Sequence, residues 1–168
     1  SKEQNIHDKL TPAMSCMFIL NHVKDGLALG RKYKLPRVLL DFIEQHHGKC
    51  VIYYFYMKAL EAKQADESIT IDDFRYLGPK PQTKEIAVSM LADSVEAASR
   101  SLASPTPEML VELVDKVIND KFMDNQMDES DLKLSDLKKI KESFMHNLMA
   151  IFHTRIEYPE INNPKHGS

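Results

Sequence analysis

Two Thr-Pro steps, Thr11-Pro12 and Thr106-Pro107, punctuate a chain whose apolar residues recur almost everywhere at the 3.6-residue helical interval. A threonine hydroxyl can accept a free N–H of the first turn, and a proline just inside loses no hydrogen bond there, so each step reads as a helix start. No stretch alternates convincingly as a strand, which points the 168 residues to an all-α fold. The first helix is expected from Thr11 to about Tyr33, with Met14, Phe18, His22, Asp25 and Leu29 on one side. A second runs from near Pro36 through Leu39, Phe42 and Ile43 to His46-His47, where Gly48 supplies a left-handed stop. Further helices are expected over about 49–64, over about 84–102, from Thr106-Pro107 with Leu110, Val114 and Ile118 in register, and from Ser135 to about Ile156. The stretch 66–83, with Gly78, Pro79 and Pro81, is the longest irregular one and reads as a surface connector or a binding lid. Without an internal repeat or linker, one domain is expected over 1–159, followed by a disordered tail over 160–168.

At 43% apolar the chain can bury a sizeable single core. A net charge of −3 removes the broad positive field that duplex nucleic acid requires, leaving small phosphate ligands held through a metal. Cys16 and Cys50 lie in apolar runs without Cys-x-x-Cys spacing and read as reduced core residues of a cytosolic domain. No segment approaches the ~20 uninterrupted apolar residues of a membrane span, and the residues read as a soluble domain.

The chemistry lies in a few residues. Glu44-Gln45-His46-His47-Gly48 puts two histidines at a helix end, and His22 sits within an earlier apolar stripe. Histidines grouped with a carboxylate are the donor set of a hydrolytic metal centre. Each has a plainer reading. His22 could be a satisfied core histidine; as a ligand, it would have Asp25 on the same face to hold its second ring nitrogen. His46 and His47, on a regular helix, diverge by about 100°, which suits two neighbouring ions, or one ion and a phosphate, better than a shared grip on one ion. They could equally interact with the helix dipole. Asp93 shares a largely apolar stripe with Ile86, Met90, Ala97 and Arg100, and a carboxylate buried there needs a cation or a strong hydrogen-bond partner. Arg100 could be that partner, or could hold a phosphate oxygen. Asp124 to Ser135 resembles a calcium loop only superficially, because Glu129 stands at the required glycine and Ser135 at the bidentate glutamate.

Taken together, five ordered blocks resemble one family: His22-Val23-Lys24-Asp25-Gly26, Glu44 to Gly48, Gly78 to Glu85, Leu91 to Ala97 and Arg155 to Pro159. They are similar to the cytosolic catalytic domain of the bacterial seven-transmembrane HD-domain phosphodiesterases, which hydrolyse cyclic di-AMP to linear pApA. The resemblance covers about Asn5 to Pro159 and implies an HD-domain-like helical bundle. It implies that His22, His46, His47 and Asp93 are metal ligands of a two-ion centre, usually manganese or iron, at which water is activated for attack on the phosphodiester. Lys24 and Arg100 would contact phosphate oxygens, and Lys80 would stand on the rim facing the bases.

The family's remaining ligands, an upstream histidine and the eponymous His-Asp pair, would precede the segment matching Asn5 to Leu10. The literal pair His7-Asp8 aligns just downstream of them, and Ile6 stands where the family often has proline. The expectation is therefore an N-terminally truncated domain with an incomplete centre, inactive alone, whose uncovered core face is buried by self-association or by rearrangement of the helices. Its parent would sit in the bacterial inner membrane. The competing readings are a non-catalytic nucleotide- or partner-binding helical module and a purely structural domain, and replacing His46 and His47 by alanine separates metal-dependent from metal-independent binding.

Overall fold

The computed structural model describes residues 10–62 and 69–153. His7-Asp8, the block Arg155 to Pro159 and the expected tail lie outside the described residues.

Among the described residues the helices are α1 (Pro12–Lys32), α2 (Arg37–Gln45), α3 (Tyr53–Glu61), α4 (Lys84–Ser99), α5 (Pro107–Met123) and α6 (Leu134–His153), with a 3-10 turn over Ile71–Phe74. Both Thr-Pro steps start helices: Thr11 Oγ1 accepts from the Met14 amide at 3.2 Å, and Thr106 Oγ1 from the Met109 amide at 3.3 Å. Thr83 caps α4 in the same way through the Ile86 amide. Capping thus sets the starting points of three helices by local chemistry alone.

Two cores form. Cys16, Val51, Phe55, Ala59 and Phe74 are buried together where α1, α3 and the 3-10 turn meet. Leu91, Val95, Leu110, Val114, Ile118, Ile140 and Leu148 bury the faces of α4, α5 and α6. The helix expected from residue 49 begins instead at Tyr53. The reason is non-local: the Ile52 amide donates to the Phe74 carbonyl at 2.8 Å and the Tyr76 amide to the Cys50 carbonyl at 3.0 Å, giving an isolated bridge between Val51 and Arg75. Extended backbone sends successive side chains to opposite sides. Cys50 therefore enters the second core and Val51 the first, so this short segment knits the two together.

The orientation of α1 differs from expectation. Its buried face carries Ser15, Cys16 and Gly30, whereas Met14, Phe18, His22, Asp25 and Leu29 all point outward. A Cβ on Gly30 would come within 2.7 Å of Leu40 Cδ2, so α1 and α2 touch through the small-residue side of α1. The apolar stripe is real, but it is not the side on which this helix packs. Both cysteines are free and buried, as expected.

Candidate metal centre

His22 projects from α1, His46 and His47 follow the last residue of α2, and Asp93 projects from α4. The four meet at the seam between the two cores. One ring nitrogen from each of His22, His46 and His47 lies within 4.8 Å of the other two. The divergence expected of adjacent histidines does not occur, because the pair is not on a regular helix. Gln45 ends α2, and residues 46–49 form turns closed by Gly48, whose φ is +54°. The His46 and His47 rings stand 3.9 Å apart between centroids, tilted by 40°.

Each imidazole is held through Nδ1. That of His22 meets the Ile19 carbonyl, and that of His46 the Phe42 and Ile43 carbonyls at 3.1 and 3.0 Å. His47 Nδ1 faces Asp93 Oδ2 at 3.4 Å. Carbonyl oxygens only accept, so Nδ1 of His22 and of His46 donates, which directs Nε2 of each ring, in its neutral form, toward a metal. At His47 both ring nitrogens face an acceptor, Asp93 at Nδ1 and His22 Nε2 at Nε2, and a cation bound between the two Nε2 atoms would leave the proton on Nδ1. Asp25 does not hold His22, contrary to expectation, since the Ile19 carbonyl in the preceding turn takes that role.

The ring nitrogens converge. His22 Nε2 and His47 Nε2 stand 3.1 Å apart. Two ligand nitrogens at ~2.1 Å from one cation, on adjacent coordination positions, are about 3 Å from each other. Burial, then the proximity of His46 and His22, push His47 down to about 3, so it is a neutral imidazole at physiological pH, the form a metal binds. A divalent ion fits this donor set.

Asp93 is not the buried carboxylate expected: its side chain is 49% exposed, and it faces the neutral His47 ring. It lies beside the three-histidine cluster, supporting His47 from behind and keeping its remaining lone pairs open to solvent. Tyr76, which the sequence did not single out, stacks on His47 at 4.3 Å with an interplanar angle of 18°. Burial, with Asp93 nearby, raises its phenol above the ordinary tyrosine value. Its position in the irregular stretch after the 3-10 turn carried no periodic signal.

Beside His47 opens a cavity of about 450 Å³. Leu20, Lys24 and Leu27 of α1 form one wall, and Arg75, Tyr76 and Leu77 another. The stretch read as a connector or lid is thus a wall of the cavity. Of the substrate-contact candidates, Lys24 lines it. Lys80 instead pairs with Asp128 at 3.9 Å, and Arg100 pairs with Glu96 at 2.7 Å, two helical turns beyond Asp93. Neither of these two is on the cavity wall.

No family model matches the chain. It is similar to the cyclic-di-AMP phosphodiesterase PgpH of Bacillus subtilis, 47% identical over 156 residues, which are 93% of this chain and 22% of that protein. The chain therefore spans about a fifth of the length of such relatives. The solved HD domain of Listeria monocytogenes phosphodiesterase PgpH is 40% identical and superimposes with a TM-score of 0.82 over 91% of this chain and 70% of that one. The same Listeria domain solved in complex with cyclic-di-AMP is 42% identical, also with a TM-score of 0.82, over 92% of this chain and 71% of that one.

Proposed function

We propose that this chain, which belongs to the family of PgpH-type HD domains, supplies one side of a divalent-metal phosphodiesterase centre that opens cyclic di-AMP to pApA. The observation that carries this reading is the convergence of His22, His46 and His47 nitrogens at the mouth of the cavity, with Nδ1 of each ring facing an oxygen acceptor. His22, His46 and His47 would hold metal, and the open lone pairs of Asp93 make it the fourth donor. Bound divalent ions there supply a lowered pKa for water and neutralise charge developing on phosphate. Manganese or iron suits such a mixed nitrogen and carboxylate set.

The chain's own groups orient the reaction. Tyr76 and Asp93 fix the His47 ring from its face and its edge. Among the described residues, Lys24 is the cation on the cavity wall for a phosphate oxygen, because Arg75 is already engaged by Asp124 and Asp72. Leu20, Leu27 and Leu77 give an apolar surface on which a base can lie. A two-ion centre requires more donors than these four, and the family resemblance places them before Asn5. The parent protein, by the same resemblance, is anchored in the bacterial inner membrane with this domain on the cytoplasmic side. Among the described residues no helix is long and apolar enough to cross a membrane.

The test is incubation with manganese and cyclic di-AMP, with chromatography for pApA, on the chain alone and on the chain joined to the upstream part of a PgpH-type domain. Product from the joined protein, abolished by EDTA and by H46A/H47A, and none from the chain alone is the expected result. Nucleotide binding untouched by EDTA and by H46A/H47A would instead make this a metal-independent binding module. Neither binding nor turnover in the joined protein would overturn the reading.

A further inference from the structure

The turn that carries His46 and His47 ends at Lys49, an exposed residue whose peptide is gripped at both ends. Its amide donates to Gln126 Oε1 at 2.8 Å. Its carbonyl accepts from Arg75 Nη1 at 2.7 Å. The two grips are joined behind the backbone: Gln126 Nε2 donates to Asp124 Oδ2 at 2.9 Å, and Arg75 Nη1 donates to the same carboxylate at 2.9 and 3.1 Å. The contacts form a closed cycle, from Lys49 N–H through Gln126, Asp124 and Arg75 back to the Lys49 carbonyl. Gln126 is 1% exposed, and the amide acceptor and carboxylate on either side fix which of its ends is oxygen.

This cycle does little for either hydrophobic core, since its members are polar groups from the α5–α6 loop and from the segment after the 3-10 turn. What it constrains is the backbone two residues beyond His47. On the other side of the turn, Gln45 Oε1 accepts from the Gln82 amide at 2.9 Å. The histidine pair is therefore suspended between two anchored residues, and one anchor is the cycle. Gly48 sits so close beneath it that a Cβ would lie 2.7 Å from Gln126 Oε1.

We propose that Gln126 and Asp124, closed by Arg75, are positioning residues that set the aim of His46 and His47 at the metal. They act through the Lys49 peptide and touch neither histidine ring nor ion. The inference rests on the metal reading above and adds to it a loop distant in sequence, whose likeness to a calcium site is only superficial.

The cycle has a polarity that can be broken and restored. Q126E places two carboxylates where an amide met one. Adding D124N returns one donor and one acceptor to that contact, with the same net charge. Cobalt(II) titration followed by its visible spectrum reads the metal site without requiring turnover. Q126E is expected to weaken cobalt affinity about tenfold or more and to alter the spectrum, the scale seen when partners behind metal ligands are lost. D124N/Q126E is expected to restore both. I140V, a core substitution away from the loop, controls for general loss of stability and is expected to leave both unchanged. Wild-type affinity and spectrum in Q126E, or a double variant no better than Q126E, would overturn the proposal. Should Q126E not fold, a double variant that folds and binds cobalt as wild type still supports the cycle, and one that folds without binding overturns it. Cobalt binding unaffected by H47A, or none by the wild type, would instead remove the metal reading and this inference with it.

Discussion

Gly48 shows how one residue serves both the backbone and the site. Its φ of +54° lies in the left-handed region, and Gln126 Oε1, Pro81 Cδ and Met90 Sδ crowd the place a Cβ would take. Glycine relieves both constraints at once. G48A is therefore expected to lower stability by about 1–3 kcal/mol, read from urea unfolding, because strain and crowding act together. Asp93 offers a cleaner probe of the metal, since its exposed side chain is not part of either core. D93N removes the charge facing His47 and should cost about tenfold to a hundredfold in manganese affinity by calorimetry, with little change in melting temperature. An unchanged affinity would argue that Asp93 is neither a donor to the metal nor a needed support for His47. At this scale the stop at Gly48 was legible from residue type, and the grouping of His22 with His46 and His47 from donor chemistry and the family resemblance. The direction of the pair was not, since a turn reverses what helical geometry implies. Tyr76 and Gln126 were invisible for a different reason: each reaches the site through contacts with no sequence periodicity.

Helix positions were the most legible level, because Thr11, Thr83 and Thr106 each fix a start through a local hydrogen bond. The start of α3 was missed where pairing of 50–52 with 74–76, a contact between distant segments, overrides the local apolar pattern. Asp136 illustrates how one side chain joins two elements. It accepts from the Lys133 amide at 3.1 Å at the start of α6 and pairs with Lys84 Nζ of α4 at 3.0 Å. The Lys84 contact first, then the Lys133 amide, hold its carboxyl below the usual aspartate value. A carboxyl depressed on folding adds stability above its unfolded pKa of ~3.9, and that addition disappears as pH falls through the lower folded value. D136N should therefore be less stable than wild type at pH 7 and at pH 5, with the gap closing below about pH 4. Thermal melts of the two proteins across that range check it, and a gap independent of pH would assign the effect to helix geometry instead of charge.

For the molecule as a whole, the informative surface is the outward side of α1 and the start of α2. Met17 is 63% exposed, Phe18 57% and Val38 60%, with Met14, Leu29 and Leu39 also largely open. Scattered exposed apolar residues are ordinary, but concentration on two adjoining helices marks a surface that functions covered. His22 belongs to the same stripe, so whatever covers it also borders the metal site. The matched Listeria domain extends beyond the aligned region, this chain covering 70% of it, which gives one source of cover. In its absence we expect a second copy of the chain to take that place, because both surfaces are apolar and the net charge of −3 is too small to keep them apart. Light scattering after size exclusion should then show a concentration-dependent dimer or larger species. F18E/V38E should convert it to monomer with unchanged helix content, since neither side chain is in a core. If instead the cover is normally the rest of the domain, joining that part should give a monomer without any substitution and should bury His22 against it. A wild-type chain that stays monomeric at high concentration would mean the stripe tolerates water, and the reason for its apolar character would then have to be sought in the cavity that Leu20 and Leu27 of the same helix line.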